Sequence, residues 1–152
     1  MSDLLNLSES IAREAHAGQL YDTRDYVDAH VAPVAQMIAK MGYSEDYQAT
    51  GWLHDVPEDS EISTAELLTR GVPRFVVESV DLLRKKGEPH SVYLDKIAED
   101  PRATVGKFAD SSINLANTIL RASEIETPKY LKWIRTYTGN LAFLLPHLPP
   151  SN

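Results

Sequence analysis

One short stretch of the sequence combines residue types that suit metal chemistry. His54 and Asp55 follow an apolar pair, and two further acids, Glu58 and Asp59, come within the next four residues. Imidazole nitrogen and carboxylate oxygen are both good ligands for a divalent transition metal. Neighbouring helical residues point about 100° apart, yet at a helix end both side chains can reach one ion. A core histidine beside a surface acid is the alternative interpretation of the pair.

Two residues elsewhere in the chain could complete a metal site. His30 lies among apolar residues after the sequence DYVDA, and Asp110 interrupts the apolar helical face of VGKFADSSINLA. A carboxylate at the rim of a buried face is costly unless it is paired or bound to a metal. With His54 and Asp55, these residues supply two imidazoles and two carboxylates from three predicted helices. Such a set leaves open positions on Mn²⁺, Fe²⁺ or Zn²⁺ for water and substrate. A purely structural role is the alternative for His30 alone.

The acidic pair Glu58 and Asp59 follows the metal pair by one helical turn. A carboxylate close to water activated by a metal can accept a proton from it, so both residues are predicted to be catalytic. Pro57 removes a backbone donor and disfavours helical angles at the preceding residue. The helix is therefore predicted to end here, with Glu58 and Asp59 in a loop that borders the site. Solvation of a helix end is the alternative explanation.

Helical periodicity runs through nearly the whole chain, with apolar residues at spacings of three and four. Helices are predicted over SDLLNLSESIAREAHAG, AHVAPVAQMIAKMG, the stretch from Ser44 through Leu53, TAELLTR, PRFVVESVDLLRKKG, SVYLDKIAED, PRATVGKFADSSINLANTILRA and ETPKYLKWIRTYTGNLAFLL. Ser44 and Ser63 are predicted N-caps, and Glu66 is predicted to complete a capping box. Residues 18–28 are predicted to form a loop, no strand is predicted, and the tail PHLPPSN is expected to fray. The sequence therefore predicts a single all-α domain over residues 1–152, with about seven or eight helices.

The bulk composition disfavours several classes of protein. The chain has 152 residues and no cysteine, which suits one domain and excludes thiolate metal sites. No apolar run approaches the roughly 20 residues of a membrane helix, and the N-terminus lacks the features of a signal peptide. A net charge of −7 disfavours nucleic-acid binding. We therefore predict a cytoplasmic protein that acts on a small molecule, and the sequence neither predicts nor excludes a homo-oligomer.

Taken together, these motifs resemble those of HD-domain phosphohydrolases, and more narrowly the Rel/Spo-type alarmone hydrolases and their single-domain relatives, the small alarmone hydrolases. WLHDVPEDS resembles the His-Asp…Glu-Asp signature of that family, and AREAHAGQ resembles its opening Ala-His-x-Gly-Gln segment. HVAPVAQMI, EISTAELLTRGVPRFVVESVDLLRKKGE and VGKFADSSIN resemble, in order, its His-Pro…Val-Ala helix, the next helix pair and its Val-Lys-x-Ala-Asp…Asn element. The resemblance covers residues 11–120, approximately, and leaves C-terminal helices at 121–146 and a tail at 147–152.

The resemblance implies an HD-type helical bundle that removes the 3′-pyrophosphate from guanosine tetra- or pentaphosphate, (p)ppGpp, to give GDP or GTP and pyrophosphate. It implies a small phosphorylated nucleotide as the partner and a Mn²⁺-type ion, with Fe²⁺ or Zn²⁺ as alternatives. The family residues that hold the ion match His30, His54, Asp55 and Asp110. Those that activate the attacking water match Glu58 and Asp59, and those of the nucleotide site include matches to Lys107 and Asn114.

The loop before His30 departs from the family pattern. Relatives carry Arg and Lys nine and eight residues before the first histidine ligand, where this chain has Tyr21 and Asp22. A substrate with several phosphates needs cations, so Arg24 is predicted to replace the lost charge and Tyr21 to line the substrate site. Further candidates for substrate contact, each with a packing or surface role as the alternative, are Lys85, Lys86, His90, Tyr93, Tyr130 and Tyr137. Hydrolysis of a nicotinamide cofactor 2′-phosphate or another nucleoside phosphate, and a catalytically idle nucleotide-binding module, remain alternative functions.

Overall fold

Helices make up most of the computed structural model, which describes residues 2–151. Nine α-helices lie within this range: α1 (Asp3–Ala15), α2 (Ala32–Lys40), α3 (Glu45–Leu53), α4 (Val56–Asp59), α5 (Thr64–Thr69), α6 (Arg74–Leu83), α7 (His90–Ala98), α8 (Pro101–Leu120) and α9 (Thr127–Leu144). A π-helical segment, Val27–Val31, runs into α2, and 3₁₀ turns at Ala122–Glu124 and Leu145–His147 flank α9. The predicted all-α class is confirmed, and the helix beyond the predicted number is the single turn α4. Within residues 2–151 no helix is both long and apolar enough to cross a membrane.

The starts of two helices show how far the capping predictions hold. Ser63 accepts a hydrogen bond from the backbone N–H of Glu66 at 3.2 Å, as an N-cap should. The carboxylate of Glu66 lies 3.0 Å from Nε of Arg70, so its interaction is with this later residue of the same helix. Ser44 occupies the N-cap position of α3 with extended backbone angles, as predicted, but its side chain makes no capping bond and its hydroxyl donates to the side chain of Asp46. Both predicted N-cap positions are therefore present, and the side-chain bond forms at Ser63 alone of the two.

The predicted loop before His30 contains a small β-hairpin. Strand β1 (Leu20–Tyr21) pairs with β2 (Arg24–Asp25) in antiparallel register. Asp22 in the intervening turn has a φ of 55°, a left-handed conformation that aspartate tolerates better than most residues. Strands of two residues are too short to show an alternating pattern, so the sequence analysis missed this element.

Helix α8 is the central element of the bundle and packs against α2, α3, α6, α7 and α9. Its middle turns carry small or branched apolar residues that are fully buried. One apolar cluster between α8 and α2 consists of Val34, Ile38, Tyr43, Val105 and Ala109. The neighbouring helices therefore fix the rotation of α8, and with it the direction of the polar residues that share its buried face.

Helices α2 and α3 approach each other closely at Gly51. A Cβ atom at this position would lie 2.7 Å from Cδ1 of Ile38 and 3.2 Å from Cα of Ala35. Real Cβ atoms rarely come this close to a backbone atom, so only glycine fits without movement of α2. This contact brings the start of α2 and the end of α3, where the two candidate histidines lie, to the same place.

Residues 148 and 149 of the C-terminal tail pack against the bundle, whereas the tail was predicted to fray, and Asn152 at its end lies outside the described residues. The hydroxyl of Tyr43 donates to the carbonyl of Pro149 at 2.6 Å. Leu148 packs against the apolar cluster between α2 and α8. These contacts join residues about a hundred positions apart in sequence, and nothing in the composition of PHLPPSN predicts them.

Candidate metal centre

Two buried histidines form the middle of the site. His30 belongs to the π-helical segment, whose wide turn is closed by a hydrogen bond from Ala32 N to Val27 O. Such turns are frequent at functional sites. His54 follows α3, and its Nδ1 lies 2.7 Å from the carbonyl oxygen of Gly51. Because that carbonyl accepts the Nδ1 proton, Nε2 of the neutral His54 ring carries a lone pair. The Nε2 atoms of the two rings are 3.2 Å apart.

Two aspartates face the paired histidines. Oδ1 of Asp110, on α8, lies 3.1 Å from Nε2 of His30 and 3.7 Å from Nε2 of His54. Oδ2 of Asp55, between α3 and α4, lies 2.9 Å from Nε2 of His54 and 3.6 Å from Nε2 of His30. The structure thus brings together all four predicted ligands. His30, His54 and Asp110 form the tighter group, with ligand atoms that all lie within 4.8 Å of one another.

This donor set fits a divalent transition metal. Zn–N and Zn–O bonds are about 2.1 Å long, so ligands at the corners of a tetrahedron lie about 3.4 Å apart. The distances from the two Nε2 atoms to each other and to the two carboxylate oxygens, from 2.9 to 3.7 Å, bracket that value. Two imidazole nitrogens and two carboxylate oxygens also match the ligand preferences of Mn²⁺, Fe²⁺ and Zn²⁺. His30, His54 and Asp110 could therefore hold such an ion, with Asp55 as a fourth donor.

The charges of the cluster are strongly coupled. Burial alone would lower the pKa of His54, but the carboxylates of Asp55 and Asp110 outweigh it and raise the pKa well above its ordinary value. Burial alone would raise the pKa of Asp110, but Lys107 and the histidines hold it well below its ordinary value. Without a metal, the imidazoles therefore retain protons beside ionised carboxylates. A metal that binds here must displace these protons.

Glu58 and Asp59 both lie on α4 and line the same cavity as the cluster. Pro57 occupies the first turn of α4, where its missing N–H has no cost, so it begins a helix and does not leave a loop. The predicted loop is therefore wrong, although both acids border the site. Glu58 accepts a hydrogen bond from the backbone N–H of Lys85 at 3.2 Å, and Asp59 accepts one from Nε2 of Gln19 at 3.2 Å.

Three of the predicted substrate contacts adjoin the cluster of candidate ligands. Nζ of Lys107 lies 2.7 Å from Oδ2 of Asp110, and Asn114 donates through Nδ2 to Oδ1 of Asp110 at 2.8 Å. The hydroxyl of Tyr21 donates to Oδ1 of Asn114 at 2.9 Å. Its ring stacks on that of His30, with centroids 5.4 Å apart. Burial alone would lower the pKa of Lys107, but the Asp110 carboxylate raises it, so the side chain is a cation.

The fourth predicted substrate contact, Arg24, lines a neighbouring cavity. Its Nη2 lies 2.7 Å from Oδ2 of Asp22, and Nη1 of Arg121 lies 3.4 Å from the same oxygen. The side chain of Asp22 is only 4% exposed. Hydrogen bonds from Arg24 hold the pKa of Asp22 below its ordinary value, so the carboxylate is ionised. Asp22 therefore offsets much of the positive charge that the two arginines could present to a ligand.

Two cavities adjoin each other near the cluster. The first has a volume of about 260 Å³ and is lined by the four candidate ligands and the acids of α4. The second has a volume of about 250 Å³ and is lined by aromatic and apolar side chains, such as Tyr21 and Trp133, and by polar and charged ones, such as Asn117 and Arg121. Asn114 and Tyr137 line both. A ligand could therefore place a charged group beside the cluster and a ring in the second cavity.

Two residues that line these cavities, Tyr26 and Trp133, are missing from the predicted site. Tyr26 donates its hydroxyl to Oδ2 of Asp55 at 2.6 Å, and burial raises the pKa of Tyr26, so the hydroxyl keeps its proton. Its position four residues before His30 places both on one helical face, which is a signal that the sequence offered. We found no comparable signal for Trp133. Of the further candidates, Lys85, Tyr93 and Tyr137 line the first cavity.

Comparisons with known proteins find similarity among solved structures. No protein-family model matches the chain, and no curated protein sequence matches it. Among solved structures, the chain is similar to a metazoan orthologue of SpoT that hydrolyzes ppGpp and plays a role in starvation responses. The two are 21% identical, the match covers 97% of this chain and 93% of that one, and the TM-score is 0.71. At this identity the similarity establishes a shared fold, and the helical bundle expected from the sequence motifs is confirmed.

Proposed function

We propose that the protein is a metal-dependent phosphohydrolase whose substrate is a phosphorylated nucleotide, with (p)ppGpp as the leading candidate and Mn²⁺ as the ion. The products would be GDP or GTP and pyrophosphate. The observation that carries the proposal is the convergence of two imidazole nitrogens and two carboxylate oxygens in one cavity beside Lys107, with each nitrogen 2.9–3.7 Å from both oxygens. The fold shared with a ppGpp hydrolase supports the choice of substrate.

The residues around the cluster have complementary parts in such a reaction. A bound divalent cation would supply Lewis acidity to a phosphate oxygen. Glu58 and Asp59 border the cavity from α4, where either carboxylate can accept a proton from an attacking water molecule. Lys107 and Lys85 line the same cavity, and their ammonium groups can bind phosphate oxygens. Leu83 and Tyr93 form part of its wall.

The second cavity suits the nucleoside part of the substrate. Tyr21, Trp133 and Tyr137 line it, and aromatic rings stack on nucleobases with little dependence on which base is present. Asn114 lies between the two cavities and can hydrogen-bond a sugar or base while its side chain also contacts Asp110. A substrate that joins a phosphate group to a purine would fill both spaces.

One observation favours a second class of substrate. Asp22 binds both Arg24 and Arg121, so the positive charge available for a second group of phosphates is reduced. A nucleotide with fewer phosphates, such as a nicotinamide cofactor that carries a 2′-phosphate or another nucleoside phosphate, needs less positive charge. This remains the alternative to (p)ppGpp, with an idle nucleotide-binding module as the alternative outside enzymes.

The proposal is tested by chromatography of the products after incubation with guanosine tetraphosphate and Mn²⁺. GDP and pyrophosphate are the expected products, and activity should disappear with a chelator and return with added Mn²⁺. Asp55→Ala should abolish metal binding and turnover together, and full metal-dependent activity in this variant would show that the site is wrong. Release of phosphate only from other nucleotides would favour the second class of substrate. Nucleotide binding without any product would favour the idle module.

A further inference from the structure

Tyr26 contacts two of the four candidate ligands at once. Its hydroxyl lies 2.6 Å from Oδ2 of Asp55. Its ring lies against the ring of His30, with centroids 5.4 Å apart and a tilt of 51°. Tyr26 is also the residue immediately before the π-helical segment. One side chain therefore connects the segment that carries His30 with the junction that carries Asp55.

Asp55 has little other support for its orientation. It lies in the irregular junction between α3 and α4, with φ of −101° and ψ of −4°, and its carboxylate does not cap α4. It lies outside the group of three ligands whose donor atoms are all within 4.8 Å of one another. Its other short contacts are with His54 and His30, which are candidate ligands themselves. The hydroxyl of Tyr26 is therefore a donor that can hold the Asp55 carboxylate while the histidines bind an ion.

The ring of His30 also depends on packing for its orientation. A histidine that binds metal usually donates its second ring nitrogen to a hydrogen-bond partner, which fixes the ring. His54 follows this rule through the carbonyl of Gly51. Nδ1 of His30 is buried and has no hydrogen-bond partner among residues 2–151. The rings of Tyr21 and Tyr26 pack against the His30 ring and can fix its orientation instead of a hydrogen bond.

We propose that Tyr26 is a positioning residue that holds Asp55 and His30 in the geometry needed to bind a divalent cation. The inference rests on the proposed function, because it requires that these side chains bind the ion. Loss of a group that orients a metal ligand typically lowers metal affinity by about 10- to 100-fold. Removal of the hydroxyl alone releases Asp55, and removal of the ring as well releases His30.

The test is a titration of the metal-free protein with Mn²⁺ alone, in which the free ion is measured by its paramagnetic resonance signal. Tyr26→Phe is expected to lower the affinity about tenfold, and Tyr26→Leu is expected to lower it further. Tyr43→Phe is the matched control. Its hydroxyl also donates a hydrogen bond of 2.6 Å, to Pro149 O, and it lies outside the lining of the metal cavity. The control should bind Mn²⁺ as the wild type does.

Each outcome of the titration has a definite meaning. Equal Mn²⁺ affinity in the wild type and Tyr26→Phe overturns the inference, and so does an equal loss in Tyr43→Phe. Circular dichroism of the metal-free variants separates unfolding from loss of the ion, and Tyr26→Phe, which keeps the ring, decides the matter if Tyr26→Leu unfolds. A wild type that binds no Mn²⁺ overturns both this inference and the proposed metal centre. Metal binding without hydrolysis counts against the proposed function only.

Discussion

The close approach of α2 and α3 at Gly51 leads to a prediction that opposes the usual helix rule. Alanine in a helix interior is normally about 1 kcal/mol more favourable than glycine. At Gly51 the added Cβ would lie 2.7 Å from Cδ1 of Ile38, which can rotate away, and 3.2 Å from Cα of Ala35, which cannot. Overpacking of this kind costs about 1–3 kcal/mol. Gly51→Ala should therefore lower the free energy of unfolding by about 1 kcal/mol, or Tm by about 3 °C.

Gly139→Ala in α9 is the matched control, because a Cβ atom there would have no neighbour within 4 Å. This variant should be stabilised by about 1 kcal/mol through helix propensity alone. Thermal unfolding of the two variants beside the wild type, in metal-free buffer, gives both signs in one experiment. Displacement of α2 in Gly51→Ala should also weaken Mn²⁺ binding, because His30 lies just before this helix. A Gly51→Ala protein as stable as Gly139→Ala would refute the close packing of α2 on α3.

Three further predictions concern other parts of the molecule. The pKa of Asp46 is lowered from 3.8, because hydrogen bonds from Ser44 and Arg102 outweigh the effect of burial. Asp46→Asn should therefore cost about 1 kcal/mol at neutral pH. The difference from wild type should vanish as pH falls below 3.8 in denaturant titrations, and a constant difference would contradict this ion pair. Gln19→Glu places a carboxylate beside Asp59, so kcat should fall about tenfold while Mn²⁺ affinity is kept. An unchanged kcat in steady-state assays would count against a catalytic role for Asp59. Asp22→Asn releases Arg24 and Arg121, so the KM for guanosine tetraphosphate should fall several-fold and become more sensitive to salt. An unchanged KM would show that these arginines do not contact the substrate.

The sequence predicted the elements whose signals are local. Ser63 caps α5 as predicted, since the donor it serves is three residues away. The four candidate ligands could be chosen because histidine and aspartate within apolar helical faces are costly without a partner. Their convergence depends on the packing of α8 against α2 and α3. The sequence indicated this convergence only through its resemblance to a family in which the matching residues hold one ion.

Features that depend on distant contacts escaped prediction. The tail is held by Tyr43, more than a hundred residues earlier, so its composition alone suggested fraying. Pro57 has two local interpretations, the end of one helix or the start of the next, and only the geometry of the following turn distinguishes them. The bond from Tyr26 to Asp55 spans 29 residues and joins two elements whose relative placement the sequence does not contain.

The wide turn at Val27–Val31 has a consequence for how this molecule can change over evolutionary time. A regular α-helix advances about 100° per residue, so removal of one residue, such as the exposed Asp28, would restore ordinary helical pairing and rotate Tyr26 by about that angle relative to His30. The hydroxyl of Tyr26 would then turn away from Asp55, and the candidate metal site would lose the donor that supports this carboxylate. A single codon deletion could thus weaken the proposed metal site while every candidate ligand stays in the sequence.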